Sequence, residues 1–480
     1  FAFRVLAKNR GFTLTVVCTL ALGIGAATTI FSVVNTVLLQ PLGYREPDRL
    51  VLIRERIRKI TPDLLAVPAP DILEFRKETA AFEDVAGWIG RPSDISGDSS
   101  RPARVDVTRV TANIFPMLGR TAAPGRTFTA AEDAQRQPVA VLSDVLWRTR
   151  YAADPNILGR KILLDRAPYT VIGVMAPEFT FPPRGLGGSD GVWIPMAFTA
   201  EELTSYGDMF NYSALARLRP GVTPETAAAV LSSTSARILA QYPAEVRSQL
   251  ALESVPLPLS EQVVRGSRTL VLLLGSAVLL LLLIACANVA SLLLSRAAAR
   301  EREFAIRAAI GAGRSRIASQ WLAESLWLSL AAALLGLFAA WYGTDGLARL
   351  NLASIPRLAE VHMDARVLIV SLALSTVTAL IFGTVPAWFT ARADLTAGLK
   401  DGGRGSSGPG RHRVRSVLVT AEVALALMLL AGAGLLFRSF LIARAADPGI
   451  RAENVLSFRL SLPASAYPKP ADNERFSLDL

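Results

Sequence analysis

Two stretches of this 480-residue chain spell patterns that do chemistry in the right setting. Gly187-Gly188-Ser189-Asp190-Gly191 has the spacing of a nucleophile elbow, where a strained strand-to-helix turn holds a serine out for acyl transfer. Here Pro182-Pro183 precede the serine and the strand-like Val192–Pro195 follows it. The chain has only two histidines, His362 and His412, to act as a base. The segment reads as a Gly-rich loop. Gly403, Gly405 and Gly408 fit G-x-G-x-x-G but follow no strand, so they imply no dinucleotide site. No G-x-x-x-x-G-K-[ST] occurs, so the chain has no loop to cradle nucleotide phosphates; if ATP drives this protein, hydrolysis happens outside these residues. Glu360, His362 and Asp364 alternate along a short loop, too few for a metal centre, and read as solvated. No catalytic residue, cofactor or metal is expected.

The strongest local signal is residues 300–314, Arg300-Glu301-Arg302-Glu303-Phe304-Ala305-Ile306-Arg307-Ala308-Ala309-Ile310-Gly311-Ala312-Gly313-Arg314. At helical spacing Phe304, Ala308 and Gly311 share a face, with Ile306 and Ile310 beside it. Arginines and glutamates cover the rest. Such a helix lies across a membrane surface and docks apolar knobs and basic arms into a partner; the alternative is a helix resting on lipid headgroups. Glu324 and Glu422 fall inside apolar runs, near the ends expected to be cytoplasmic. Interfacial exposure or pairing with a loop arginine is the expectation there, ahead of a proton relay. Asn288 is expected to hydrogen-bond between helices, and Gly23, Ala27 and Gly432 to allow close helix packing.

The elements that position these residues are apolar runs of membrane-spanning length. Residues 11–39 form the first, after a basic flank at 1–10. Others follow at 268–295, 321–346, 366–389 and 416–442. The chain is 51% hydrophobic with a mean hydropathy of +0.37, which fits an integral membrane protein carrying a large aqueous domain. The net charge of +11 raises nucleic acid as a partner, but the basic residues crowd beside apolar runs, in 1–10, 296–320 and 390–415. That is the positive-inside pattern of cytoplasmic loops, and no nucleic-acid partner is expected. The N-terminus is then cytoplasmic, the insert 40–267 and the loop 347–365 external, and 443–480 external again. The first run is too long for a signal-peptide core and reads as a retained anchor. Both cysteines, Cys18 and Cys286, lie in apolar runs, so the insert is held by its own core without disulfides.

The insert reads as α+β. Strands are expected at 50–55, 104–110, 138–142, 161–164, 169–174, 212–218 and 252–257. Helices are expected at 71–82, at 144–151 capped by Ser143, and from Pro224 to about Gln241 capped by Thr223. Residues 402–410 (GGRGSSGPG) read as a flexible linker. Aligning 12–39 with 415–442 places Asp48-Arg49-Leu50-Val51-Leu52 near Glu453-Asn454-Val455-Leu456-Ser457, so 411–480 reads as the opening of a second copy within a longer protein. The fold class expected is a membrane α-helical bundle of four spanning helices plus the first helix of a second repeat. A large α+β domain is inserted after the first helix.

This layout resembles the permeases of the MacB/FtsX/LolC–LolE group of ABC systems. Residues Arg302 to Ala312, with Ile317, Gln320 and Glu324 after them, are similar to that group's signature before its third helix. Val141-Leu142-Ser143-Asp144-Val145-Leu146-Trp147, Asp154-Pro155-Asn156-Ile157-Leu158-Gly159-Arg160 and Tyr169-Thr170-Val171-Ile172-Gly173-Val174-Met175 resemble the MacB-type periplasmic core domain. With the second copy, the chain looks most like the duplicated permeases first described in acidobacteria. The resemblance implies a non-catalytic subunit of the bacterial inner membrane that couples a separate cytoplasmic ABC ATPase to movement of a periplasmic domain, for efflux or for mechanical signalling. It implies a periplasmic partner and a dimer or internal pseudo-dimer. Arg300, Arg302, Glu303, Phe304, Ile306, Arg307, Gly311 and Arg314 would be the ATPase-facing element. The macrolide exporter fuses its ATPase ahead of the first helix, whereas only a short basic stub precedes it here. A reading from a different class is a structural or signalling membrane protein whose external domain binds a partner without transport.

Overall fold

A computed structural model describes residues 9–57, 61–97, 101–188, 191–206, 209–242, 244–247, 251–299, 314–350, 355, 357–392, 409–446 and 475–476. In chain order the elements are α1 (Arg10–Val34, continued by a π-helical turn Asn35–Leu39), β1 (Leu50–Ile57), α2 (Ala69–Arg76), β2 (Phe82–Ser96), β3 (Ala103–Val110), α3 (Ile114–Leu118), β4 (Ala122–Gly125), α4 (Ala130–Ala134), β5 (Val139–Leu142), α5 (Asp144–Tyr151), β6 (Lys161–Leu164) and β7 (Ala167–Met175). They continue with β8 (Val192–Pro195), α6 (Ala200–Thr204), β9 (Ser213–Leu218), α7 (Pro224–Gln241), α8 (Ala244–Arg247), β10 (Leu252–Pro258), α9 (Leu259–Val264), α10 (Arg268–Ala299), α11 (Arg314–Leu350), α12 (Ala365–Arg392) and α13 (Pro409–Ala445). The chain divides into two compact units. One is Phe1–Gln40 with Ser267–Val455; the other is Pro41–Gly266 with Leu456–Leu480.

The second unit is α+β, as its pattern of short runs requires. Its strands form one sheet in the order β10-β1-β9-β2-β3-β8-β5-β7-β4, with β6 pairing β2 and β7. Most pairs are antiparallel; β3–β8 and β5–β7 are parallel. β1 is buried on both faces because side chains alternate along a strand. Leu50 and Leu52 join a core with Trp88, Phe115, Phe181 and Trp193. Val51 and Ile53 join a second, with Ile72 and Phe75 of α2 and Leu231 and Ile238 of α7. A third core, around Leu142, Ile157, Ile162 and Val171, lies under α5. Edge-on aromatic pairs stiffen the first: Trp88 with Phe181 at 5.2 Å and Phe115 with Phe128 at 5.3 Å between centroids.

Local chemistry sets the caps. Ser143 Oγ accepts from Leu146 N at 3.1 Å to start α5, and Thr223 Oγ1 accepts from Thr226 N at 3.3 Å to start α7 at Pro224. Asp165 and Arg166, at φ 49° and 67°, make the tight turn between β6 and β7. Two expectations need correction. The helix expected to reach 82 ends at Arg76, because Phe82 is taken into β2. The linker expected over 402–410 does not reach 410: α13 starts at Pro409, suited by its fixed φ to a first helical position.

Among the described residues four helices of the first unit are long and apolar enough to cross a membrane, Arg10–Leu39, Arg268–Ala297, Leu322–Arg349 and Ser416–Ala445; Ala365–Ile381 is a shorter apolar stretch within α12. Helix α1 packs against α10, α11 and α12, and α13 against α10. Val16, Leu20 and Ile24 of α1 meet Leu282, Val289 and Leu293 of α10 and Leu328 and Ala332 of α11. Both cysteines are free, Cys286 buried and Cys18 exposed. Residues 41–266 contain equal numbers of basic and acidic side chains, so the whole positive excess lies elsewhere in the chain.

The sheet unit's stability depends on its aromatic core. Phe115→Ala, at a fully buried position, is expected to cost about 3–5 kcal/mol in denaturant unfolding followed by tryptophan fluorescence. Val145→Ala, at a position 43% exposed, is expected to stay within about 0.5 kcal/mol of the parent.

Candidate functional site

Of the residues singled out in the sequence, Arg300, Arg302, Glu303, Phe304, Ile306, Arg307 and Gly311 lie outside the described residues, as does the side chain of Arg314, where α11 begins. Ser189 also lies outside them. Glu324 is buried, 2% exposed, one turn after Gln320, whose Nε2 donates to Glu324 Oε1 at 3.1 Å. Glu422 is half-buried on α13. Asn288 is half-buried on α10, and among the described residues its side chain makes no hydrogen bond, contrary to the expected interhelical bond. Gly23 does serve close packing. A Cβ there would lie 3.0 Å from Leu282 Cδ1 and 3.3 Å from Ala285 Cβ, whereas Gly432 has nothing within 4 Å.

The structure builds its specific contacts around α1. Ala21, Gly25 and Thr29 recur every four residues and so share a helical face. Against them α11 sets Gly336, Ala339 and Gly343. A Cβ on Gly25 would stand 3.0 Å from Gly336 O, one on Gly336 would stand 2.9 Å from Ala21 O, and one on Gly343 would stand 2.9 Å from Thr29 Oγ1. The two backbones therefore approach as only small residues allow.

Hydroxyl pairs tie α12 into the same group. Thr28 and Ser371 oxygens are 2.9 Å apart, joining α1 to α12. Ser329 Oγ lies 2.7 Å from Ser375 O and 2.8 Å from Ser375 Oγ, joining α11 to α12. Ser371 and Ser375 are one helical turn apart, so one face of α12 presents both. Each such tie inside a bilayer contributes on average about 0.6 kcal/mol.

A third tie lies where α1 ends and the chain continues into the sheet unit. Asn35 Nδ2 and Gln40 Nε2 both donate to Asp364 Oδ2, at 3.0 and 2.9 Å. Residues five apart on an α-helix point about 140° away from each other. The π-helical turn, closed by Gln40 N donating to Asn35 O at 2.7 Å, brings the two amides to one side. Asp364 Oδ1 meanwhile accepts from Val367 N at 2.8 Å and caps α12. The Val367 N–H, and after it the two amides, hold the Asp364 carboxyl below its ordinary value. Arg357 Nη1 donates to Gln40 O at 2.9 Å, and its Nε to Glu360 Oε2 at 2.8 Å. The segment expected to be a solvated loop is thus the latch on α1. Glu360 and His362 are exposed, as expected, but Asp364 is half-buried because the end of α1 and the start of α12 both claim its carboxylate, which alternation in sequence does not reveal.

Within the sheet unit, the segment that follows α1 is held by Arg217 on β9, only 2% exposed. Its guanidinium donates to Arg45 O at 2.7 Å, to Glu46 O at 3.3 Å and to Met117 O, and pairs with Glu46 Oε2 at 3.3 Å. Among the described residues no group of three or more His, Cys, Asp or Glu could hold a metal ion. Among the described residues the arrangement sets no nucleophile beside a base. It holds the end of α1 in one unit and residues 45 and 46 in the other.

Comparison with known proteins gives two family models in succession. Residues 13–234 match the MacB-like periplasmic core domain, and residues 275–395 match the FtsX-like permease C-terminal domain. The chain is 28% identical over 274 residues to the pyoverdine export ATP-binding/permease protein PvdT of Pseudomonas putida, covering 57% of this chain and 39% of that protein. It is 28% identical over 300 residues to the macrolide export ATP-binding/permease protein MacB of Burkholderia lata, covering 61% and 41%. The chain thus spans about two fifths of the length of these relatives. The crystal structure of the periplasmic region of MacB from Actinobacillus actinomycetemcomitans is similar with a TM-score of 0.35 at 14% identity, covering 48% of this chain and 98% of that one.

If Asp364 latches α1, Asp364→Ala lowers the thermal midpoint of the full chain in detergent, by about 1–2 kcal/mol of stability. Its carboxyl is depressed in the folded state, so the contribution is present above the unfolded value of about 3.9 and lost as pH falls through the folded one. The midpoint difference between parent and variant should therefore shrink on acidification. Gly336→Leu drives a side chain into Ala21 O and Gly25 N, and is expected to cost about 1–3 kcal/mol of stability, read as a lower thermal midpoint.

Proposed function

We propose, since this chain belongs to the MacB/FtsX-type ABC permeases, that it is an inner-membrane subunit that converts the work of a cytoplasmic ATPase into movement of its sheet unit. In this reading the N-terminus and residues 296–320 face the cytoplasm, and residues 41–266 lie in the periplasm. The protein is not itself catalytic. Residues 300–314 form the element that meets the ATPase, with Arg300, Arg302, Arg307 and Arg314 as basic arms and Phe304 and Ile306 as apolar knobs. Efflux of a periplasmic substrate, or transmission of a mechanical signal, follows from the same movement.

The observation that carries this reading is the pair of ties on the link between the units. Asp364 and Arg357 hold the end of α1, and Arg217 holds residues 45 and 46 ahead of β1. A link fastened at both ends suits a part that transmits displacement, since slack would absorb it. Helix α13 is read as the first helix of a second copy, giving an internal pseudo-dimer. Its apolar side chains, including Leu427, Leu430, Phe437 and Phe440, are largely exposed, as a helix awaiting further helices or lipid would have them.

Copurification with a cognate ABC ATPase tests the reading. Arg302→Glu with Arg307→Glu is expected to abolish copurification and stimulation of ATP hydrolysis while leaving the thermal midpoint unchanged. Binding that survives the double reversal overturns the assignment of this element. Absence of any ATPase partner, with function intact, favours a non-transporting structural or signalling protein.

A further inference from the structure

Glu55 on β1 and Asp71 on α2 are both 0% exposed. Glu55 belongs to the odd-numbered face of β1, with Val51, Ile53 and Ile57, and so points into the apolar core between the sheet, α2 and α7. Glu55 Oε1 accepts from Ser254 Oγ on β10 at 3.4 Å, and Ser254 is in turn bonded to Ser235 Oγ on α7 at 2.8 Å. Asp71 Oδ2 accepts from the Tyr242 hydroxyl at 3.5 Å. The remaining oxygens, Glu55 Oε2 and Asp71 Oδ1, have no partner among the described residues. Two ionised carboxylates side by side in an apolar core repel strongly and forfeit hydration. The two carboxyls lie within hydrogen-bonding reach of each other, so one shared proton replaces the repulsion with a hydrogen bond.

Among the described residues the surroundings supply no compensating cation. Neither carboxyl forms an ion pair among the described residues. On α2, Glu74 faces Asp71, and just beyond the helix Lys77 is engaged with Glu74. On α7, Arg237 is engaged with Glu78. On the strands, Arg56 is paired with Glu253 across β1 and β10. Among the described residues the phenols of Tyr206 and Tyr242 are the other titratable neighbours.

We propose that Glu55 and Asp71 form a proton-sharing dyad that fastens α2 and α7 to the β1–β10 pair, making the packing of these strands responsive to pH on their side of the membrane. β1 follows α1 in the chain and β10 leads through α9 into α10, so Glu55 and the Ser254 that donates to it sit on the two strands continuous with membrane helices. The consequence for transmission rests on the reading of the sheet unit as the moving part; the dyad itself does not. Burial pushes Asp71 up to about 7 and, together with the Asp71 charge, raises Glu55 well above the ordinary carboxylate value. Both folded values exceed the unfolded ones. The dyad's contribution is therefore full below about pH 4 and is lost as pH rises to and through neutrality. The folding constant falls about tenfold per pH unit for each proton the folded state holds in excess.

The test uses the full chain in lipid nanodiscs. Infrared spectra of the folded protein at neutral pH should show a protonated carboxyl that is absent in Glu55→Gln/Asp71→Asn. Thermal unfolding followed by tryptophan fluorescence should show a midpoint falling between about pH 5 and about pH 8, with a shallower slope in Glu55→Gln and the shallowest in the double variant. If the double variant does not fold, the infrared band of the parent and the Glu55→Gln slope decide alone. Absence of a protonated carboxyl at neutral pH, or an unchanged slope in Glu55→Gln, overturns the proposal. So does a calcium or magnesium salt that raises the parent midpoint but not that of Glu55→Gln, because the pair would then hold a metal cation. No ATPase is needed, so this result and the coupling result stand or fall separately.

Discussion

The contact on which the membrane unit depends is the near-touch of two backbones, α1 and α11, at Gly25 and Gly336. Lipid tails are as apolar as leucine, so helices in a bilayer gain little from burying apolar surface and must hold one another by close packing and polar ties. Once these two backbones are fixed at that distance, Thr29 falls against Gly343 and the opposite face of α1, through Gly23, meets α10. The hydroxyls of Thr28 and Ser329 are then placed to meet the serines of α12. The π-helical turn at the end of α1 completes the set by turning Asn35 and Gln40 toward one carboxylate. Enlarging a single glycine would shift every one of these positions.

The two units are held by different physics. The sheet unit has an aromatic interior in which one side chain is worth several kcal/mol. The helices rely on ties each worth a fraction of that. If the chain transmits movement as proposed, the helices are the part suited to exchange one arrangement for another, and the sheet unit the part suited to keep its shape. The division also appears in charge: the sheet unit is balanced, and the basic excess lies with the rest of the chain.

Much of this was legible in the residues. Four of the five expected spans are long and apolar enough among the described residues, and α5 and α7 are marked by Ser143 and Thr223-Pro224, because capping is local chemistry. Strand β2, the longest in the sheet, was missed: Gly87, Gly90 and Pro92 interrupt its alternation, and its pairing with β9, β3 and β6 comes from distant residues. The latch was misread for a similar reason. Asp364 looks like a loop carboxylate until the π-helical turn delivers two amides from more than three hundred residues away. The spacing of Ser371 and Ser375 on an otherwise apolar helix was a usable signal for the hydroxyl ties. Nothing comparable marks Arg217, one arginine among many, whose burial alone distinguishes it.

The antiparallel pairing of β1 with β10 sets Val51 opposite Pro258. The chain therefore enters and leaves the sheet unit at neighbouring positions, about 5 Å apart between paired Cα atoms. However large the insertion, its first and last strands lie no farther apart than the legs of a hairpin. The sheet unit could then be lengthened, shortened or exchanged for another with the same two end strands, without asking the helices to move apart. A single bundle design could carry many different heads.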